Sequence, residues 1–373
     1  MPGQRFDPGE KDGLSLRPGY FFTYVMGGRK MVTRTWALTI VTLVLSCFSR
    51  GALGIVVIDP SYQVEVYATY VDVGIGSLSN SIAFDPQGNL YLPHRSAGII
   101  YKVDSAGTAT LFAEGLYEPT CVQWVDNAAY GTYLYVTELT DAPSPGYVTR
   151  IDAGGNMETL SSVDWEPVSL AIDSVGNYGG GLYVGTNVED KVITVAPDGT
   201  QNTFSEFPYN VPGGPVALAF DPANQYGGDM YVGTYSLSQA NLSGLFRIDG
   251  AGNYTRFSSD LAMCSTIAFD PTQNFGGSMY AVAVDDLQSE STYWSDLWRV
   301  NPDGTTALFA HSDIYKINGI AFGPDDAMYV AEFNNGTSQT TISRISLIPE
   351  PATLLSLGLG TLALLRRPRR RQS

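Results

Sequence analysis

The 373-residue sequence predicts an all-β fold, a six-bladed β-propeller of four-stranded blades. Three observations carry that prediction. The first is a unit repeated six times: an apolar strand ending near an Asp, a turn, then Leu/Met-Tyr-aliphatic. Its copies pair Ile82-Ala83-Phe84-Asp85 with Leu90-Tyr91-Leu92, Val122-Gln123-Trp124 with Leu134-Tyr135-Val136, and Leu170-Ala171-Ile172-Asp173 with Leu182-Tyr183-Val184. The later ones pair Leu218-Ala219-Phe220-Asp221 with Met230-Tyr231-Val232, Ile267-Ala268-Phe269-Asp270 with Met279-Tyr280-Ala281, and Ile320-Ala321-Phe322-Gly323 with Met328-Tyr329-Val330. Their central residues Phe84, Trp124, Ile172, Phe220, Phe269 and Phe322 lie 40, 48, 48, 49 and 53 residues apart. At that period each unit is a few strands that cannot bury an apolar face alone, so units stack.

The second observation is that every unit continues alike. A third apolar strand carries Lys102, Arg150, Arg247, Arg299 or Arg344 at one register, with Thr194 in the third copy. Turns with Asp and Gly follow, such as Asp104 to Gly107, Asp152 to Gly155 and Asp249 to Gly252. Asp bonds its own backbone there and Gly takes positive φ. A more polar fourth strand ends the unit, as in Thr108 to Phe112 and Thr305 to Phe309. The third observation is an exception. The sixth copy runs from Ile342–Ile345 into Ile348-Pro349 with no fourth strand, while Tyr62–Tyr67 alternates as a strand with no unit of its own. It is expected to complete the last blade, which closes the ring and removes an open sheet edge.

Recurrent residues within the unit have scaffold readings. Asp85, Asp173, Asp221 and Asp270 are followed by Pro or Ser and fit Asx-type turns rather than a metal ring. The Tyr at the centre of each second strand suits a β-strand, with a hydroxyl expected to find a partner between blades. Asn177-Tyr178-Gly179-Gly180, Gln225-Tyr226-Gly227-Gly228 and Asn274-Phe275-Gly276-Gly277 read as structural reversals. Cys121 and Cys264 open units on opposite blades, too far apart to bridge, and are expected as small buried apolar groups. His94 and His311 fall in no zinc or triad spacing.

Three segments are expected: a leader at 1–54, the propeller at 55–347 and a sorting signal at 348–373. In the leader, Arg29, Lys30 and Arg34 precede an uncharged run from Thr35 to Phe48 and then Gly51-Ala52-Leu53-Gly54, the layout of a secretory signal. It lies deep in the chain, which fits a true start at Met26 or Met31; Cys47 offers a weaker lipoprotein alternative. Of 21 Lys/Arg and 37 Asp/Glu, residues 1–54 hold seven and three, and five Arg end the chain. That leaves nine basic and 34 acidic residues at 55–365, a net of −25. Such a body repels nucleic acid and anionic membrane.

At the C-terminus, Pro349-Glu350-Pro351 is followed by 14 uncharged residues, Ala352 to Leu365, then Arg366-Arg367 and three further Arg. This resembles the PEP-CTERM sorting signal of exopolysaccharide-producing Gram-negative bacteria, in all three parts and in terminal position. The resemblance implies recognition by an exosortase-type transpeptidase, transient anchoring in the inner membrane by the apolar stretch, and delivery to the cell surface or extracellular matrix. The stretch is short for a spanning helix, which takes about 20 apolar residues.

Propeller sites sit where the innermost strands begin. Two residues before each inner strand's first apolar residue stand Asn80, Thr120, Val168, Val216, Ser265 and Asn318, with Glu118 and Glu166 at two blade entrances. The Asp-Pro turns and Leu-Tyr-Val strands resemble NHL-repeat and gluconolactonase-like propellers. The resemblance implies, for the enzymes, one divalent cation such as Ca²⁺ held by Glu, Asn, Asn and Asp. Asn80 and Asn318 match two of those types, and Asn318-Gly319 resembles their Asn-Gly motif. None of the six positions is an acid, and divalent oxygen sites take carboxylate charge. The plainer use of both Asn is a hydrogen bond to backbone at a strand start. The expectation is therefore a non-catalytic, exported binding or matrix protein, with no cofactor, taking a polysaccharide or extracellular protein. The alternative is a divalent-cation-dependent hydrolase or lactonase.

Overall fold

A computed structural model describes residues 54–71, 81–140, 144–164, 166–207, 214–236, 242–284, 296–312, 316–334, 337 and 339–349. By compactness the chain divides into 1–51 and 52–373, and all described residues belong to the second unit. Apart from Gly54 the expected leader lies outside them, as does the sorting segment beyond Pro349.

The strands form six antiparallel sheets, one per repeat, arranged as a six-bladed propeller. Counting from the axis outward, the first strands are Ala83–Phe84, Pro119–Asn127, Pro167–Ile172, Pro215–Phe220, Ala262–Phe269 and Lys316–Phe322. Each touches the inner strand of the next blade, and Lys316–Phe322 touches Ala83–Phe84, so the ring is closed. The second strands are Leu90–His94, Gly131–Glu138, Leu182–Thr186, Met230–Thr234, Met279–Val284 and Met328–Asn334. The repeat residues Phe84, Trp124, Ile172, Phe220, Phe269 and Phe322 line one end of the axis, around a cavity of about 350 Å³.

Closure follows the expected route and goes further. Tyr62–Val71 pairs antiparallel with Gln339–Leu347, from Tyr62 opposite Leu347 to Val71 opposite Gln339. It is the outer strand of blade six, four residues longer than the alternating stretch Tyr62–Tyr67. A strand the sequence did not announce, Ile55–Val57, pairs with Thr306–Ser312 and gives blade five a fifth strand. Residues 55–71 therefore hold the outer edges of two neighbouring blades. Only Ile55 of the short strand is fully buried, and a three-residue pattern is too brief to show a period.

Buried apolar side chains gather in the seams between blades. Leu134, Val136 and Ile151 of blade two pack with Tyr91 and Ile100 of blade one. Tyr280 and Phe309 of blade five pack with Met328 and Ile345 of blade six. In every blade the second-strand Tyr stands directly opposite the third-strand base or Thr194.

The Tyr hydroxyls correct the expectation from sequence. Tyr135, Tyr183, Tyr231 and Tyr280 donate to the carbonyls of Tyr130, Tyr178, Tyr226 and Phe275, each in the first turn of the same blade. The bridges between blades come from those turn residues. Tyr130 donates to Val195 O and accepts Leu182 N–H, both on blade three. Tyr178 makes the same two bonds to Ile248 and Met230 of blade four, and Tyr226 to Val300 and Met279 of blade five. Phe275 lacks the hydroxyl, and Tyr62 stacks on its ring at 4.8 Å.

The Asp residues fix the turns that aim these rings. Asp221 accepts N–H bonds from Ala223, Tyr226 and Gly228, and Asp270 from Thr272, Phe275 and Gly277. Asp85 and Asp173 do likewise, and all four are buried. Gly228 has φ 70°, which Gly adopts without a steric cost. Cys121 and Cys264 are free and buried, and burial pushes the Cys264 thiol up to about 12.

Candidate functional site

At the other end of the axis the inner strands begin, and the sequence-chosen positions share one backbone feature. The ladder of blade two shifts register between Pro119 and Cys121, leaving Thr120 as the extra residue. Val168, Val216, Ser265 and Asn318 occupy the same place in their own ladders. All five are β-bulge residues, and a bulge re-aims the side chain it carries. Asn80 lies outside the described residues.

Four of the five line one cavity of about 220 Å³: Thr120, Val168, Val216 and Ser265. Asn318 stands next to Ile317, which lines it too. The floor is apolar, since Leu139, Val168 and Val216 form a separate buried cluster with Tyr235 packed against it. Thr120 Oγ1 lies 2.9 Å from Thr137 Oγ1 and 3.2 Å from the Pro167 carbonyl, and Ser265 Oγ reaches Val282 O at 3.4 Å. Both hydroxyls are thus engaged with protein.

The rim carries the charge. Arg95 lines the cavity and donates through Nε and Nη2 to Glu118 Oε2 at 2.9 and 2.7 Å, an ion pair whose acid is about half exposed. Glu166 also lines it, at φ 42°, a left-handed conformation uncommon for a residue with a side chain. Asn187 secures it twice, donating its backbone N–H to Glu166 O and its amide to Glu166 Oε2, both at 3.1 Å.

Glu118 and Glu166 are therefore neighbours of the mouth, each tied to its own partner. The Oδ1 of Asn318 is buried and finds no hydrogen-bond partner among the described residues. The oxygen ligands that the described residues bring to the mouth are the amide oxygen of Asn318, two engaged hydroxyls and the two engaged carboxylates of Glu118 and Glu166, with two Val between them. Ca²⁺ takes six to eight oxygen ligands with carboxylates among them; at this mouth the carboxylates of Glu118 and Glu166 are already tied to Arg95 and Asn187. Among the described residues no group of three or more His, Cys, Asp or Glu lies together.

Sequence reasoning missed Arg95, Leu139, Asn187 and Tyr235, which line the same cavity. The signal was present: each is the fourth residue after the repeat Tyr, at 91, 135, 183 and 231. The residue before that position is buried in every blade: His94, Glu138, Thr186, Thr234, Ala283 and Glu332. Burial pushes the Glu332 carboxyl up to about 7, against the lowering effect of hydrogen bonds from Ser343 and Ser312.

The geometry defines a closed six-bladed propeller with a small axial mouth, and the comparisons with known proteins agree with that class. A gluconolactonase of Xanthomonas campestris superposes with a TM-score of 0.57 at 14% identity, over 80% of this chain and 96% of that one. A PQQ-bound aldose sugar dehydrogenase of Streptomyces coelicolor gives 0.51 at 16%, over 77% and 99%. A luciferin-regenerating enzyme gives 0.53 at 11%, over 76% and 95%. At such identities the likeness is one of fold. No curated protein matches the sequence. Residues 347–371 match the PEP-CTERM protein-sorting motif, which marks the chain as an exported exosortase substrate. Of the predicted sorting residues only Pro349 is described, and it is exposed; Glu350, Pro351, Arg366 and Arg367 lie outside the described residues. Among the described residues no helix is long and apolar enough to cross a membrane.

Proposed function

We propose that this chain is a non-catalytic binding protein, delivered by its sorting tail to the outer surface or matrix of a Gram-negative cell and associated there with exopolysaccharide or an extracellular protein. The observation that carries the reading is the sorting motif at 347–371 joined to a propeller closed by its own N-terminal strands. The mouth supports binding over hydrolysis. Its apolar floor and its two tethered carboxylates offer recognition surface, whereas metal-assisted hydrolysis needs charged ligands, an open coordination position and a base. No cofactor is required on this reading, and the acidic body leaves no role for nucleic acid.

One observation favours the alternative, a divalent-cation-dependent lactonase. The unpartnered Oδ1 of Asn318 sits beside the axial cavity, where an amide oxygen would meet a cation. Calcium or zinc titration by calorimetry, with lactone hydrolysis followed in parallel, separates the two readings. Stoichiometric binding with activity lost in Asn318→Ala would overturn the binding reading. For delivery, changing Pro349, Glu350 and Pro351 together to Ala is expected to leave the protein unprocessed at the inner membrane. Fractionation and mass spectrometry of the mature C-terminus report the outcome, and normal surface delivery of the variant would refute it.

A further inference from the structure

Away from the axis, blade two carries a further cavity, of about 410 Å³, lined by Gly115, Leu116, Tyr117, Glu138, Tyr147, Thr149, Met157 and Thr159. It is larger than the mouth and within the range of about 300–1,000 Å³ typical of small-ligand sites. We propose that this lateral cleft is a binding site for a neutral saccharide, which docks on the Tyr117–Tyr147 pair above the Glu138 carboxyl. The inference deepens the surface-binding reading above, but its site is separate from the mouth.

The cleft is built by strand register. Glu138 stands opposite Tyr147, and Thr149 lies two residues along from Tyr147 on the same face. Thr149 is in turn opposite Thr159, with Met157 two residues from it. One face of blade two thus presents a carboxyl, an aromatic ring, two hydroxyls and a thioether. The carboxyl is 4% exposed and holds the connecting loop in place. Glu138 Oε2 accepts the Tyr117 backbone N–H at 2.7 Å, and Oε1 accepts the Thr149 hydroxyl. That bond sets the Tyr117 ring beside Tyr147, with centroids 5.8 Å apart and planes tilted by 35°.

The outcome is an aromatic platform in solvent. Tyr117 is 60% exposed and Met157 is 42% exposed, although both sit beside buried scaffold. An exposed Tyr ring beside a half-buried one and an exposed thioether, grouped at a cavity, mark an interaction site, and Tyr offers rigid amphipathic area at low entropic cost. A sugar ring matches such a surface, with C–H groups against the aromatic face and hydroxyls toward the polar floor. Each carboxylate oxygen accepts about two hydrogen bonds, and the structure uses one on each.

Charge decides which saccharide. No Lys or Arg is among the described residues lining the cleft, whereas Glu138 is. The propeller body is strongly acidic, so an acidic polysaccharide meets repulsion locally and at range. A polyproline segment also docks on Tyr pairs, but proline carries no N–H to donate to a buried carboxyl.

The test is affinity electrophoresis of the full-length chain, in mild detergent, through gels holding laminarin, dextran or hydroxyethyl cellulose, with alginate as the acidic comparison. Retardation by at least one neutral polysaccharide is expected, with none by alginate. Removing an anchoring ring weakens binding by about tenfold or more, so Tyr117→Ala is expected to do so at unchanged melting temperature, since the ring is mostly exposed. Glu138→Gln, which keeps the shape and one acceptor, is expected to weaken it less, and Leu111→Ala, at an exposed position on the outer strand of blade one that lines neither the mouth nor the cleft, to leave it unchanged. The proposal is overturned if no neutral polysaccharide retards the protein, if alginate retards it more strongly, or if Tyr117→Ala migrates as wild type. Decaproline binding that is lost in Tyr117→Ala would also overturn it, in favour of a peptide site.

Discussion

Glu332 couples the stability of the seam between blades five and six to pH, in a direction the structure fixes. Its carboxyl is fully buried on blade six and accepts hydroxyl bonds from Ser343 of the same blade at 2.6 Å and Ser312 of blade five at 2.9 Å. Burial pushes its pKa up from 4.5 to about 7. In the unfolded chain the group loses its proton near 4.5, so below that pH both states are protonated and nothing is lost. As pH rises toward 7 the folded state holds a proton that the unfolded state releases, and stability falls; above 7 the loss is complete. At about 1.4 kcal/mol per pH decade, this interval amounts to about 3 kcal/mol, of which about 2–3 kcal/mol falls between pH 5 and 8. That window stays above the sequence pI of 4.4. Burial raises the Glu138 carboxyl in the same sense, and hydrogen bonds lower those of Asp152, Asp198, Asp249 and Asp303 in the opposite one. The informative quantity is therefore the difference between wild type and Glu332→Gln. Urea unfolding at pH 5 and 8 is expected to show the variant gaining about 2–3 kcal/mol on wild type across the window. In melting temperature that is about 5 °C, taking about 2 °C per kcal/mol for a large domain. Parallel pH profiles for the two proteins would refute a buried, protonated Glu332.

Two further predictions concern the ring. Tyr226→Phe removes a hydroxyl that serves both Val300 O and Met279 N–H, leaving two buried groups unpaired at a cost of about 2–4 kcal/mol; a melting temperature equal to that of the exposed control Tyr117→Phe would count against the clasp. Deleting residues 55–71 strips the outer strands from blades five and six and bares two sheet edges, so aggregation and a loss of cooperative melting are expected; light scattering and calorimetry indistinguishable from wild type would refute the closure.

The sequence alone determined the repeat, the number of blades and the route of closure, because strand alternation and turn chemistry are local and the period repeats them. Asp85, Asp173, Asp221 and Asp270 were legible as turn residues for the same reason, since an Asx bond reaches only a few residues along the chain. The sorting tail was also legible, as an ordered pattern of residue types. Only the tertiary structure decided which residues meet across blades. The mouth gathers Thr120, Val168, Val216 and Ser265 from four blades, and their common trait, a bulge in each ladder, depends on strand partners that no single segment contains. The Tyr226 clasp spans 74 residues to Val300. The lateral cleft needs a loop leaving blade one to settle on the face of blade two, held by one buried carboxyl. A periodic sequence specifies its unit through neighbours along the chain, but what lies between units is specified by packing, where Tyr130, Tyr178 and Tyr226 make hydroxyl bridges and Phe275 makes a stack.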